Sequence, residues 1–526
     1  MKATRIILTA ALALCCGAAM AQDLLPAPQN MTVGKGAFNL DKPYKVVKDA
    51  SADADNIYLS PIIQAKKDDA QPTIIIKSAR NLDNQEAYAL HITPDTLVIT
   101  AGSRIGFIRA GQTIKQLLAN GKRLQTCDIE DKPAYGWRGC MIDFSRHFFD
   151  ADFVRKQIDI LASFKINVMH LHITDSGGWR LAINRYPRLT EQGAWRTTSG
   201  WEQWRNEGSP FGKDGTPGTY GGYFTQEQMR SLVQYAADRG ITMVPEIEMP
   251  AHSDEVTVAY PELACRQLNA AAAPDHALNY DICPGSEATY AFYENVLTEI
   301  MDIFPSKYIH VGGDEASKQS WKDCPLCQRK AKELGLPNTD GLQPYLIARI
   351  GRFLQQHGRK LIGWDEIIND SLTTNDAVMI WRDFNSSRDA IKRGCDVVLT
   401  PTSNCYMDYY QDAPETQPKA IGGYLPLEKV YSLNPESTLT PDEMQHVLGV
   451  QGNLWTEYIA TNDYAEYMLY PRMLAIAEMG WDGTKTKNYD AFRQKAIRVE
   501  KQLGKQGIHV FDLTKEKGIA PQAPAK

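Results

Sequence analysis

The sequence predicts an α/β protein in two parts, a (β/α)8 barrel of the TIM type over residues 134–510 behind a small N-terminal α/β domain over residues 22–133. Three observations predict it. Eight apolar segments alternate with amphipathic helical stretches after Pro133, acidic residues stand at the C-terminal ends of most of those segments, and residues 22–133 mix short strands with one helical stretch. A chain of 526 residues with 43% apolar content can bury cores of that size.

Residues 1–21 come first in the chain. They carry Lys2 and Arg5, an apolar run from Ile6 to Leu14 and the closing Ala19-Met20-Ala21, the pattern of a cleaved secretory signal. The mature chain is therefore expected to begin near Gln22 and to be exported to the periplasm, the cell surface or the medium. The apolar run is shorter than the roughly 20 residues that span a bilayer, so no membrane span is expected after cleavage. Cys15 and Cys16 raise the question of a lipid anchor, yet neither follows the small residue that such processing wants. In the N-terminal domain, Thr73–Ile76 and Thr96–Thr100 read as strands and Ala110–Leu118 as a helix.

After Pro133 the predicted strands are Gly139–Phe144, Asn167–Thr174, Thr242–Ile247, Tyr308–Gly312, Lys360–Trp364, Ala377–Trp381, Asp396–Thr400 and Val447–Leu454. Eight is the number a TIM barrel closes with. An open doubly wound sheet shares the alternation, so the count carries the choice. Among the helices, Thr225–Arg239 places Met229, Leu232, Val233 and Ala236 on one face, and Thr225 with Gln228 forms a capping box. The loop from Arg196 to Tyr223 either shapes a site entrance or is a surface excursion. Residues 511–526, rich in Lys, Ala and Pro from Thr514 onward, are expected to be a disordered tail.

Charge excludes some functions. With 57 Lys and Arg against 63 Asp and Glu, the net charge is −6 with signs mixed throughout. That gives no basic footprint for nucleic acid or anionic lipid and suits a neutral substrate. Eight cysteines remain after cleavage, and an exported chain is permitted disulfides. Cys265 and Cys283 flank a predicted loop and form the candidate pair. Cys324-Pro325-Leu326-Cys327 has the spacing of a redox or zinc half-site, but no second such run and no thioredoxin-like context accompany it. A local disulfide or two structural thiols are expected there.

The chemistry gathers where a barrel would put it. Asp143, Asp175, Glu246 with Glu248, Asp314 with Glu315, Asp365 with Glu366, Asp383 and Glu457 all fall at or just after strand C-termini, the face that carries active sites in such barrels. So many acids at the ends of apolar strands are costly to bury unless paired or used. The sharpest run is His310-Val311-Gly312-Gly313-Asp314-Glu315. Neighbouring side chains on a regular strand face opposite ways, but two glycines let the backbone turn so that both carboxylates can face one substrate. Close carboxylates separate in proton affinity, which yields the acid and the anion that glycoside cleavage needs. Trp364, Trp381 and Trp455 stand at the ends of three predicted strands and offer flat apolar walls for the C–H faces of a sugar.

These residues resemble a known family. Asp143-Phe144-Ser145-Arg146-His147-Phe148, His170-Leu171-His172-Ile173-Thr174-Asp175, Pro245-Glu246-Ile247-Glu248-Met249-Pro250-Ala251-His252, the Gly-Gly-Asp-Glu run, Gly363-Trp364, Tyr406-Met407-Asp408 and Leu454-Trp455-Thr456-Glu457 together look like a family 20 glycoside hydrolase, the β-N-acetylhexosaminidases. The resemblance covers nearly all of the mature chain. It implies hydrolysis of a terminal N-acetylhexosamine, GlcNAc or GalNAc, from a small carbohydrate or glycan, with retention and with the substrate's own acetamido oxygen as nucleophile, an exception to the usual two-carboxylate scheme. By that resemblance Asp314 orients the acetamido group, Tyr406 donates to its oxygen, and Glu315 is the general acid and base. Arg146, Asp175, His252, Asp408 and Glu457 would bind the sugar while Trp364, Trp381 and Trp455 wall the pocket. No metal ion or cofactor is implied.

The sequence departs from the family at two places. Asp175-Ser176-Gly177-Gly178-Trp179 stands where members carry two adjacent aspartates before Gln-Gly-Trp, and Pro250-Ala251-His252 stands for Pro-Gly-His. Two other readings compete. His170 and His172 share one strand face as zinc ligands would, with His252, His310 and Asp314 to complete a site, but that leaves the aromatic walls unexplained, and activity surviving exhaustive chelation would remove it. A carbohydrate-binding protein without catalysis would not need both Asp314 and Glu315, and turnover of a chromogenic N-acetylglucosaminide excludes it.

Overall fold

The computed structural model describes residues 24–64, 72–79, 82–119, 121–265, 281–483 and 488–518. The predicted leader lies outside the described residues, as do residues 519–526. The N-terminal domain is a six-stranded mixed sheet of β1 (Asn30–Asn39), β2 (Lys45–Lys48), β3 (Thr73–Ser78), β4 (Tyr88–Ile92), β5 (Thr96–Ala101) and β6 (Arg123–Asp131), in the spatial order β1-β6-β4-β5-β3-β2. Alternation explains its core. Ile74 and Ile76, Leu90 and Ile92, and Leu97 and Ile99 turn one face inward, where the helix Arg104–Leu117 lays Phe107, Ala110 and Ile114 against them.

The barrel is closed and wholly parallel. Its strands are β7 (Trp137–Asp143), β8 (Val168–His172), β11 (Thr242–Glu246), β12 (Tyr308–His310), β13 (Lys360–Trp364), β14 (Ala377–Ile380), β15 (Asp396–Leu399) and β16 (Val447–Leu454), each beside the next and β16 beside β7. The short β9 (Trp195–Arg196) and β10 (Tyr220–Gly221) form a separate ribbon. All eight predicted strands are present, most with bounds shifted by one or two residues and β8 three residues shorter than Asn167–Thr174. The helix Gln226–Ala237 carries the predicted Thr225–Gln228 capping box.

Alternation along the barrel strands sorts two layers. Met169, Leu171, Met243, Ile309 and Leu361 face outward into the layer under the helices, while Val168, Val244, Ile362, Trp364, Met379 and Val398 fill the interior. On β8 this periodicity sends His170 and His172 inward. Register then aligns the C-terminal ends, since Asp143 pairs with His172, His172 with Glu246, and Glu246 with His310. Four polar residues of four strands therefore share one level of the barrel mouth.

Buried ions join the two domains. Glu86 accepts from Arg109 at 2.7 Å and from Arg138, and although burial opposes its charge the two guanidiniums bring its pKa down to about 2. Lys165 bonds Asp131 at 3.0 Å and lies 4.1 Å from the centre of the Trp481 ring.

Two expectations are corrected. The stretch 511–518 is packed rather than disordered: Phe511 and Leu513 are buried, and Asp412 accepts the backbone N–H of Lys517 and Gly518 at 2.9 and 2.7 Å. Two apolar anchors and an internal carboxylate outweigh the composition of the residues around them. No disulfide joins Cys265 to Cys283 or Cys324 to Cys327 among the described residues. The sulfurs of all four lie within 4.8 Å of one another, and the shortest separations are 3.6–3.7 Å, far beyond the roughly 2 Å of an S–S bond.

Candidate active site

At the centre of the barrel mouth three imidazoles and an indole gather on one carboxylate. Glu246 is fully buried and lies 3.0 Å from His170, 2.6 Å from His172, 3.0 Å from His310 and 2.8 Å from the indole nitrogen of Trp364. Burial opposes its charge, but the three imidazoles outweigh it and hold its pKa well below the usual carboxylate range. His172 also reaches Asp175 at 3.0 Å, and these two acids overcome burial and push it up to about 10. His170, where burial dominates, falls to about 4. His170, His172 and His310, three of the imidazoles suggested as zinc ligands, thus all gather on Glu246.

These shifts predict a stability optimum. A histidine with a lowered folded pKa contributes stability above about pH 6.5, its unfolded value, that is lost as pH falls toward 4. One with a raised pKa contributes stability below about pH 6.5 that is lost as pH rises toward 10. With His170 and His172 so placed, the thermal midpoint is expected to peak near pH 6.5 and to fall on both sides. A midpoint rising steadily from pH 5 to 9 in calorimetry would contradict this.

The Gly-Gly turn explains how two adjacent acids come together. Gly312 and Gly313 take φ of +62° and +100°, and Glu315 itself takes +50°. A Cβ on Gly312 would overlap the Glu248 carboxyl group, so the glycine also makes room for that acid. Glu248 accepts the N–H of Gly313 at 3.0 Å; burial, with the charge of Asp314 beside it, drives its pKa well up. Glu366, again by burial and the same neighbour, rises to about 8 and accepts the Trp381 indole N–H at 2.9 Å. Sequence reading placed both acids at strand ends but gave neither a role, because the contact with Asp314 is purely spatial.

His252, at φ +51°, ties the acids together. Its Nδ1 is 3.3 Å from Asp175, and its Nε2 is 3.4 Å from Asp314 and 3.5 Å from Glu315. Burial disfavours the imidazolium, but Asp175 and the two acids hold its pKa well above the ordinary value. Asp314 and Glu315 therefore share one cation on one side of the turn.

The remaining predicted residues form the walls. Arg146 lies 2.7 Å from Asp175, 3.3 Å from Asp143, 3.9 Å from Glu457 and 5.1 Å from the Trp455 ring centre. Trp455, Trp381 and Tyr406 meet with ring centroids 6.4 Å apart on either side of the tyrosine. Trp364 is buried beneath Trp455, at 5.8 Å, and forms a floor rather than a wall. Asp408 is buried as well, and desolvation, then Glu457, raise its pKa well up.

Among the described residues, several buried polar atoms without a hydrogen-bond partner converge here: Arg146 Nε, Glu248 Oε2, His252 Nε2, Asp314 Oδ1, Asp408 Oδ1 and Glu457 Oε2. Buried polar groups are almost always satisfied, so such a cluster marks where a polar ligand sits. The cavity is about 480 Å³ and is lined by Arg146, Asp175, His252, Glu315 and Glu457, with Trp201 and Arg205 from the Arg196–Tyr223 loop. That loop therefore shapes the entrance. A second cavity of about 380 Å³ lies against Asp365, Glu366 and Arg382, and Glu315 lines both. At the first departure from the family pattern, Ser176 turns its hydroxyl to Asp254, so a carboxylate is supplied there from another loop.

The pattern of the catalytic domain of glycosyl hydrolase family 20 matches residues 135–484, and that of the family's domain 2 matches residues 21–132. The chain belongs to glycosyl hydrolase family 20. A β-hexosaminidase of Porphyromonas gingivalis is 38% identical over a 517-position alignment that covers 93% of this chain and 64% of that protein, so the chain spans somewhat under two thirds of that relative. Among solved structures, the family 20 exo-β-N-acetylglucosaminidase of Vibrio harveyi in complex with N-acetylglucosamine superposes with a TM-score of 0.81 at 30% identity, covering 93% of this chain and 78% of the other. A β-N-acetylhexosaminidase of Bacteroides fragilis gives 0.77 at 28%, covering 93% and 96%. Family 20 membership thus spans both domains described above.

Proposed function

We propose that the chain is an exo-acting, retaining β-N-acetylhexosaminidase that removes a terminal non-reducing GlcNAc or GalNAc by substrate-assisted catalysis. The observation that carries this is the cluster of unpartnered buried polar atoms between aromatic walls. A pyranose is apolar on its faces and polar at its rim, and the rings of Trp381, Tyr406 and Trp455 together with those polar atoms offer matching surfaces. Asp314 Oδ1 is a buried acceptor without a donor, and Tyr406, whose pKa burial raises well above the ordinary value with the charges of Asp408 and then Asp314 adding to it, keeps its hydroxyl proton. An acceptor beside a donor complements an acetamido N–H and C=O.

In the first step the acetamido oxygen attacks C1, the glycosidic C1–O bond breaks, and Glu315 gives its proton to the leaving oxygen. Asp314 accepts the acetamido N–H and stabilises the positive charge that develops there. Water then attacks C1 from the vacated face, gives its proton to Glu315 and reopens the five-membered ring. Two inversions give retention. Glu315 is placed for both proton transfers because it stands between the two cavities, the first holding the sugar and the second taking the leaving group. Arg146 and Glu457 line the first cavity and offer charged groups to the hydroxyls of a terminal sugar, which favours a chain terminus.

Proton NMR of fresh hydrolysate is expected to show the β-anomer first, and a thiazoline analogue of the cyclised intermediate is expected to inhibit. An α-anomer as first product would refute this mechanism.

A further inference from the structure

We propose that Cys265, Cys283, Cys324 and Cys327 bind one Zn²⁺ ion in a tetrahedral four-thiolate site that clamps the loop after β11 to the loop carrying Asp314 and Glu315. The sulfur geometry carries it. Cys265 lies 3.6 Å from Cys327, and Cys283 lies 3.7 Å from Cys324 and 3.6 Å from Cys327. Four sulfurs about 2.3 Å from a central zinc would stand about 3.8 Å apart at the corners of a tetrahedron. A disulfide instead needs roughly 2 Å and joins only two sulfurs, leaving the other pair unexplained.

The surroundings suit a closed structural site. Cys283, Cys324 and Cys327 are buried, Cys265 is partly so, and Trp321, Ala331 and Leu342 pack around them as an apolar shell. Cys324 is the N-cap of the helix Pro325–Glu333 and Cys327 lies in its first turn, so that run supplies two ligands in the manner of a zinc half-site. The other two come from a different barrel loop. An antiparallel bridge between Ala264 and Ile282, with the Cys283 N–H donating to Leu263 at 2.9 Å, holds Cys265 and Cys283 side by side. Gly285 has no side chain where a Cβ would strike the backbone of Cys327, which lets the two loops close. A tetrahedral all-sulfur set selects zinc, or iron, over harder cations.

The clamp reaches the acid. Asp281, two residues before Cys283, accepts from the N–H and hydroxyl of Ser317 at 3.1 and 2.9 Å and from the N–H of Lys318. Trp321 donates its indole N–H to Ile282 at 3.1 Å. The segment so held begins two residues after Glu315 and contains Lys318 at φ +60°, a conformation that persists only under external constraint.

Elemental analysis of the full-length protein, purified from zinc-supplemented medium without chelator, is expected to give about one zinc per chain. Cys324→Ser/Cys327→Ser is expected to lose it. Cobalt substitution should give the visible bands of tetrahedral cobalt with near-ultraviolet thiolate charge transfer. Removing zinc with a mercurial reagent and a chelator should lower kcat about ten- to a hundredfold with KM changed less. A metal-free wild-type protein, iron in place of zinc, or an intact mass short of two or four hydrogens would overturn the zinc site. Unchanged kcat after zinc loss would overturn the clamp.

Discussion

Replacing Glu315 by glutamine is expected to lower kcat for an unactivated glycoside by about 10²–10⁴-fold while leaving substrate binding measurable. The amide keeps the size and reach of the side chain but has no proton to give the leaving oxygen. The Glu315 side chain is 53% exposed and its described contact is a 3.5 Å approach to His252, so the substitution leaves no buried charge unpaired. Its effect on stability is expected to stay within about 0.5 kcal/mol, as for most surface changes. An aryl glycoside with an acidic phenol needs little protonation, so the first step should be impaired less for that substrate than for a disaccharide. The second step still lacks its base. Pre-steady-state kinetics should therefore show an initial burst of phenol with the aryl substrate. Near-normal steady-state turnover of a disaccharide would remove Glu315 from the role of acid.

Asp314 should respond differently. Its Oδ1 is buried without a partner and in the proposed mechanism accepts the acetamido N–H, so its loss acts on the internal nucleophile. Leaving groups of every acidity should suffer alike. The two neighbouring acids are thus separable by substrate even though one turn holds both.

How far the sequence spoke of these features depended on whether they are local in the chain. The barrel strands were legible because each is a continuous apolar run, and Glu315 because the Gly-Gly-Asp-Glu run is contiguous. Residues whose meaning lies in a partner far along the chain were not. Glu248 matters through Gly312 and Asp314, 64 and 66 positions on, and nothing near it announces that its pKa is raised. Ser176 read as the loss of a carboxylate, yet Asp254 meets it across a loop boundary. Cys265 and Cys283 looked like a pair because they flank one loop, while their nearest sulfur neighbours in space include Cys324 and Cys327 from another. Phe511 and Leu513 were hidden by the composition of the residues after them, although two buried apolar side chains suffice to hold a short segment.

Replacing Gly312 by alanine is expected to destabilise the protein by about 2–5 kcal/mol and to abolish measurable turnover. Two costs add. A residue with a Cβ held at a left-handed φ loses roughly 1–2 kcal/mol. Forcing a methyl group into a filled space costs roughly 1–3 kcal/mol more. The overlapped group is the Glu248 carboxyl, which is fully buried, bonded to the Gly313 N–H and enclosed by the barrel mouth, so it has no free direction in which to retreat. Moving the backbone instead would carry Asp314 and Glu315 away from His252, which is why activity should fall further than stability alone explains. Glu248→Ala introduced together with Gly312→Ala separates the two costs, because it empties the overlapped space and leaves only the backbone penalty. The double variant is therefore expected to be more stable than the sum of the single effects by about 1–3 kcal/mol in denaturant unfolding. Strict additivity would show that the overlap is relieved elsewhere, and a Gly312→Ala protein with the parent's midpoint and turnover would show that the double glycine does not set the acid pair.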